Sequence, residues 1–236
     1  MNIKTYPSKQ EVAEQFSKWL SELITSSENP VHIALSGGST PKIVFEELVR
    51  NYSGIDWPGV HLYWGDERCV PPGDADSNYG MTAGLLLSKI EIPGENIHRI
   101  KGENDPAEEA VRYGALLEEK LPEGNGVPRF DLVILGMGDD GHTASVFPHE
   151  IDLWASEQNC EVAIHPDTGQ KRITITGKLV NNAEAVAFLV TGSGKAEKVR
   201  EIIHHEGGYA TYPASLVAPS AGTLYWFMDE DAANLL

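Results

Sequence analysis

Phe130-Asp-Leu-Val-Ile-Leu-Gly-Met-Gly-Asp-Asp-Gly-His-Thr-Ala-Ser145 decides how this chain is read. Asp131 to Leu135 has the length and apolar content of a buried parallel strand. Gly136, Gly138 and Gly141 follow as a sharp turn in which the main chain can approach a ligand closely. Asp139, Asp140 and His142 lie in that turn, with the histidine where a helix can begin. A carboxylate two residues before an imidazole, at the carboxyl end of a strand, can orient the ring and stabilise its protonated form. The plain alternative is a left-handed turn carrying a solvated histidine.

Gly136-Met-Gly138-Asp-Asp-Gly141 also fits the dinucleotide fingerprint G-x-G-x-x-G. Three features argue against that use. Two aspartates in the turn would face a pyrophosphate with the wrong charge. Pro148 follows soon, so any helix here is short. The acidic residue expected further on has no clear strand before it.

Outward from this stretch, three more strand-then-loop units recur. Val31-His-Ile-Ala-Leu35 leads into Ser36-Gly-Gly-Ser-Thr-Pro41, where Thr40 reads as an N-cap and Pro41 as the first helical residue. Glycines ahead of a helix N-terminus offer backbone N–H groups to an anion, a phosphate above all. No Gly-Lys-[Ser/Thr] closes the loop, so it is not a P-loop. Val60-His-Leu-Tyr-Trp64 ends in Gly65-Asp-Glu-Arg68. Ala185-Val-Ala-Phe-Leu-Val190 ends in Thr191-Gly-Ser-Gly-Lys195. Ligands bind at the carboxyl ends of strands in an open parallel sheet, so the loops Ser36–Thr40, Asp66–Arg68, Asp139–His142 and Gly192–Lys195 should converge there.

The remaining elements fit around these units. Ser8 with Glu11 reads as a capping box for a helix whose inner face is Val12, Phe16, Trp19, Leu20 and Leu23. Residues 79–90 read as helical, 97–100 as a short edge strand, and 106–121 as a helix with Val111, Leu116 and Leu117 inward. Cys160–Ile164 and Arg172–Thr176 alternate like an antiparallel hairpin turning at Pro166–Gly169. A helix follows Lys195 to His204, Thr223–Phe227 is a last strand, and Asp229 caps a terminal turn. The expected architecture is α/β: a mostly parallel central sheet with helices on both faces and a small antiparallel part. One domain over residues 1–236 is expected, with no linker and no repeat.

The chain carries 18 Lys and Arg against 35 Asp and Glu, a formal net charge of −17. Such an excess argues against nucleic acid and anionic membrane as partners. It also means that an anionic substrate needs a local cluster of cations, and Arg68, Arg172 and Lys195 are placed to supply one. Cys69 and Cys160 are the only cysteines and lack metal-ligand spacing, as in a reduced, cytoplasmic protein. No apolar signal-peptide core and no run of membrane-spanning length is present.

Taken together and in order, these stretches resemble the 6-phosphogluconolactonases along essentially the whole chain. The matches are Ala34–Pro41, Gly65–Arg68 with Ser77-Asn78, Leu135–Ser145 with Phe147-Pro148, Arg172–Thr176, and Gly192–Ala196. The resemblance implies hydrolysis of 6-phospho-D-glucono-1,5-lactone to 6-phosphogluconate, without metal or cofactor. It also implies a fold related to ribose-5-phosphate isomerase and glucosamine-6-phosphate deaminase. On that reading Ser36, Gly37, Gly38, Ser39, Thr40, Gly138, Arg172 and Lys195 bind the substrate, with Lys195 and Arg172 on its phosphate. His142 oriented by Asp140 acts as base, Arg68 or a backbone N–H faces the oxyanion, and Asp66 is the reserve base. The expected partner is a small sugar-phosphate lactone, met by a monomer or weak homo-oligomer. The His149-Glu-Ile-Asp-Leu run departs from the family, where glycine is expected after Pro148.

Deaminases share the Gly-Ser-Thr-Pro loop and the Gly-x-Asp-Gly-His turn, and are the competing reading. Their turn carries a ring-opening Glu five residues after the histidine. Here that position is Phe147, and their Asp-Glu-Tyr is Asp66-Glu67-Arg68. A non-catalytic sugar-phosphate sensor is the third reading, but binding alone leaves the Asp140/His142 pair without a purpose.

Overall fold

The computed structural model describes all 236 residues. Its strands are β1 (Asn2–Tyr6), β2 (Val31–Leu35), β3 (Val60–Trp64), β4 (Asp66–Arg68), β5 (Ile97–His98), β6 (Glu123–Gly124), β7 (Val127–Pro128), β8 (Leu132–Leu135), β9 (Cys160–Ile164), β10 (Lys171–Ile175), β11 (Ala185–Val190) and β12 (Thr223–Asp229). Seven of them form a parallel sheet in the order β1-β12-β11-β8-β2-β3-β5. A second, antiparallel sheet runs β4-β10-β9, and β6 and β7 make a small hairpin. The central strands explain their own position. Every residue of β8 and β11 is buried, so both faces of each strand must be covered.

The helices are α1 (Lys9–Ser26), α2 (Ser39–Asn51), α3 (Asn78–Leu85), α4 (Pro106–Lys120), α5 (Gly177–Val180), α6 (Ala196–His204) and α7 (Glu230–Ala233). Ser8 Oγ accepts the Glu11 N–H at 3.2 Å and starts α1, whose Val12, Phe16, Leu20 and Ile24 are buried at helical spacing. Asp105 accepts the Ala107 and Glu108 N–H groups ahead of Pro106 in α4. Asp229 Oδ1 accepts the Ala232 N–H, so the terminal cap is as expected. A continuous core of 52 buried residues links the sheet to these helices.

Several expectations are corrected. The helix after β2 begins at Ser39 with Gly38 as its N-cap, not at Pro41 with Thr40. Gly38 has φ +107, which only glycine adopts freely, and this releases Thr40 to hydrogen-bond Thr191 Oγ1 at 3.1 Å. No helix begins at His142: Ala144 has φ +48, and Thr143 bridges Val146. Asp66–Arg68 is a strand, not a loop, because β4 pairs with β10. Asp131 lies just before β8, and its carboxylate accepts the His32 N–H at 2.7 Å. The segment 79–90 is helical only to Leu85 before a 3-10 turn at Leu87–Lys89, and the 97–100 strand stops at His98. Val111 is 74 % exposed; α4 buries Leu117 as expected, together with Ala110, Tyr113 and Gly114.

Candidate active site

The four expected loops meet at one place because β11, β8, β2 and β3 are consecutive in the sheet. Chain order reverses between β8 and β2. Those two strands pair only through Ile33–Leu132 and Ala34–Val133, so their carboxyl ends are free to diverge. A cleft of about 240 Å³ opens there. Its lining includes every residue given a catalytic or binding role in the sequence except Asp140: Ser36, Gly37, Gly38, Ser39, Thr40, Asp66, Arg68, Gly138, His142, Arg172 and Lys195. Asp140 stands directly behind His142.

The turn that carries His142 is built by local hydrogen bonds. Gly138 N–H donates to the His142 carbonyl, and Gly141 N–H donates to that of Gly138. Asp140 Oδ1 accepts the His142 backbone N–H at 3.1 Å and lies 2.6 Å from Nδ1 of the ring. With Nδ1–H donated to the carboxylate, Nε2 carries the free lone pair. Burial alone would raise the Asp140 carboxyl. The hydrogen bond and charge of His142, with backbone N–H groups, outweigh it and hold the group at about 2. Gly138 makes this arrangement possible: a Cβ there would stand 2.1 Å from His142 Nδ1 and 2.7 Å from Asp140 Oδ1.

Phe147 is buried and packs against both His142 and Arg172. Its ring centroid lies 4.7 Å from that of His142, and the Arg172 guanidinium carbon sits 5.5 Å from it. Arg68 and Arg172 are directly opposite each other on β4 and β10, a like-charge pairing that costs stability. Every other arginine pairs with a carboxylate. These two have none within bridging distance; Arg68 Nη1 donates to the Asp76 carbonyl at 2.6 Å, and Arg172 Nη1 reaches Ser145 Oγ at 3.5 Å. Burial lowers the Arg172 pKa. In so acidic a protein, two unpaired guanidinium groups facing one cleft mark it for an anion.

Sequence reasoning missed several members of this site. Ser145 is fully buried and donates to Asp66 Oδ2 at 2.6 Å, tying that carboxylate to the segment that follows His142. Asn78 Nδ2 donates to the Asp66 carbonyl at 2.9 Å, and its side chain abuts Gly37, where a Cβ would lie 1.9 Å from Oδ1. The buried Glu67 accepts N–H groups from Arg68, Asn78 and Tyr79 and the Ser77 hydroxyl, fastening the 68–79 segment to β4. Burial raises the Glu67 pKa, against the pull of those N–H groups. Lys9 Nζ donates to Ser39 Oγ at 2.7 Å, adding a cation beside the glycine loop. Ser77-Asn78, Glu67 and Ser145 did stand in the sequence inside family matches, though without a role of their own; Lys9 carried no local signal. No group of three or more His, Cys, Asp or Glu side chains is arranged to hold a metal ion.

Residues 7–226 match the family described as glucosamine-6-phosphate isomerases/6-phosphogluconolactonase, and the chain belongs to that family. It is 43% identical to a 6-phosphogluconolactonase of Aggregatibacter actinomycetemcomitans over 100% of both chains. Among solved structures, the 6-phosphogluconolactonase of Trypanosoma brucei superposes with a TM-score of 0.89 at 28% identity, covering 100% of this chain and 98% of that one. A monomeric glucosamine-6-phosphate deaminase superposes at 0.83 over 100% of both chains, but at 18% identity this shows the shared fold alone. Within the family the chain stands with the lactone hydrolases.

Proposed function

We propose that the chain hydrolyses 6-phospho-D-glucono-1,5-lactone to 6-phospho-D-gluconate, the reaction of the oxidative pentose phosphate pathway, with His142 as general base and no metal. The observation that carries this reading is the Asp140–His142 pair, 2.6 Å apart, facing a cleft with three cations. The Ser36–Thr40 loop, Lys195 and Arg172 hold the phosphate. Asp140 fixes the ring so that Nε2 takes a proton from water as the water oxygen attacks C1. Arg68 or a backbone N–H stabilises the oxyanion. The C1–ring oxygen bond then breaks, and His142 returns its proton to the leaving oxygen. Phe147 cannot shuttle a proton, which favours hydrolysis over the deaminase reaction. The protein acts as a monomer or weak homo-oligomer on this reading, folded as one domain. Two unpaired thiols suit a cytoplasmic setting, and no helix is long and apolar enough to cross a membrane.

The test is incubation of purified protein with freshly made lactone, following acid release above the spontaneous rate. A parallel incubation with glucosamine 6-phosphate should release no ammonia above background. Ammonia without lactone opening would establish the deaminase reading instead.

A further inference from the structure

Lys195, the cation at the start of α6, already has a partner within the protein. Its ammonium is paired with the carboxylate of Asp139, in the turn that carries His142. The two side chains differ sharply in setting. Lys195 is 20 % exposed and lines the cleft, whereas Asp139 is 83 % exposed and makes no other hydrogen bond. A lysine already shielded by the cleft wall keeps more of its attraction to an anion than a surface lysine does. Any anion that takes Lys195 must displace Asp139 and then remain beside its charge.

We propose that Asp139 is a resident counter-ion that sets the phosphate affinity of the cleft. It weakens the hold on phosphorylated substrate and product alike, and so favours product release. This rests on Lys195 being a phosphate ligand, as proposed above. Asp139 is well suited to the task. It belongs to the same turn as Asp140 but bonds neither the imidazole nor the turn's backbone, so its charge can be removed without dismantling the base.

The experiment measures KM for the phosphorylated lactone and the competitive inhibition constant of inorganic phosphate, at fixed ionic strength, for five proteins. These are wild type, Asp139→Asn, Asp139→Glu, Lys195→Ala and the double variant Asp139→Asn/Lys195→Ala. Asp139→Asn should lower both constants about 3- to 10-fold, as expected for losing one competing ion pair that is partly shielded. Asp139→Glu should restore them towards wild type. In the Lys195→Ala background the Asp139 change should have a clearly smaller effect, because only the residual repulsion is left to remove. Glu28→Gln, which removes one exposed charge ahead of β2 at the opposite end of the sheet, controls for net charge and should move neither constant. The proposal is overturned if Asp139→Asn behaves like Glu28→Gln, or if it raises KM because the pair serves to hold Lys195 in place. If phosphate fails to inhibit even the wild type and Lys195→Ala leaves KM unchanged, the phosphate role of Lys195 falls first and this proposal with it.

Discussion

Gly138→Ala should disable the site without touching a charged group. A Cβ at this position would stand 2.1 Å from His142 Nδ1, where ordinary van der Waals contact begins near 3.4 Å. The ring must therefore retreat by about 1.3 Å, and the Asp140 carboxylate, 2.7 Å from the same Cβ, must shift as well. Either movement breaks the 2.6 Å bond that fixes the tautomer. Misplacing a catalytic group by about 1 Å can cost roughly 100-fold in rate. We expect kcat for the phosphorylated lactone to fall about 100-fold, with KM within about 3-fold, because Lys195 and the Ser36–Thr40 loop lie on other elements. Gly138 has no left-handed φ, so alanine adds no backbone strain, and the variant should fold. The assay is steady-state lactone opening by wild type, Gly138→Ala, His142→Asn and the double variant. The double variant should be no slower than His142→Asn alone, since both changes act through one imidazole. A Gly138→Ala enzyme with kcat within about 3-fold of wild type would refute the reasoning, as would full additivity with His142→Asn.

Removing the phosphate anchor should act on recognition: Lys195→Ala should lower kcat/KM about 10- to 1,000-fold, roughly 1.4–4 kcal/mol, and gluconolactone without phosphate should be a poor substrate. Equal kcat/KM for the two lactones would contradict the anion reading of the cleft. At the opposite end of the sheet, His32, His61 and His98 stack across β2, β3 and β5 with centroids 4.8 and 5.4 Å apart. Burial, with the neighbouring imidazoles, holds His32 and His98 down to about 4. The unfolded chain takes up these protons from about pH 6.5 downward while the folded chain resists. Stability should therefore fall as pH drops from about 6.5 to 4 and lose nothing further from these groups below that. Discounted for partial exposure and mutual coupling, the loss is about 2–4 kcal/mol. Thermal melts of wild type and His32→Asn/His98→Asn at pH 7 and 4.5 should show a smaller acid shift in the variant; equal shifts would dismiss the histidine ladder as its source.

What could be read in advance follows from how local each signal is. β2, β3, β8 and β11 are short apolar runs ending in glycine or polar loops, and their shared carboxyl edge follows from parallel pairing. The Asp140–His142 contact spans two residues and needs only a turn. β1 was missed because Asn2–Tyr6 lies at the sheet edge, is largely exposed, and gains its pairing from distant β12. Thr40 and Pro41 looked like a helix start because both suit one, but the left-handed Gly38 sets the boundary earlier. Val111 fits the helical period of α4 as well as Ala110 does; which face turns inward is decided by packing, here by Tyr113, whose hydroxyl donates to the Trp64 carbonyl. Ser145, Glu67 and the Asp139–Lys195 pair depend on partners brought in by other loops, so no pattern of neighbours marks them.

The most direct measurement is the kcat of His142→Asn on freshly prepared 6-phospho-D-glucono-1,5-lactone, corrected for spontaneous opening and read beside its KM. General-base catalysis contributes about 10²–10⁴-fold. The expected result is a folded protein with kcat at least about 100-fold below wild type and KM little changed. A folded His142→Asn protein that opens the lactone at close to the wild-type kcat would place the base elsewhere and contradict the mechanism.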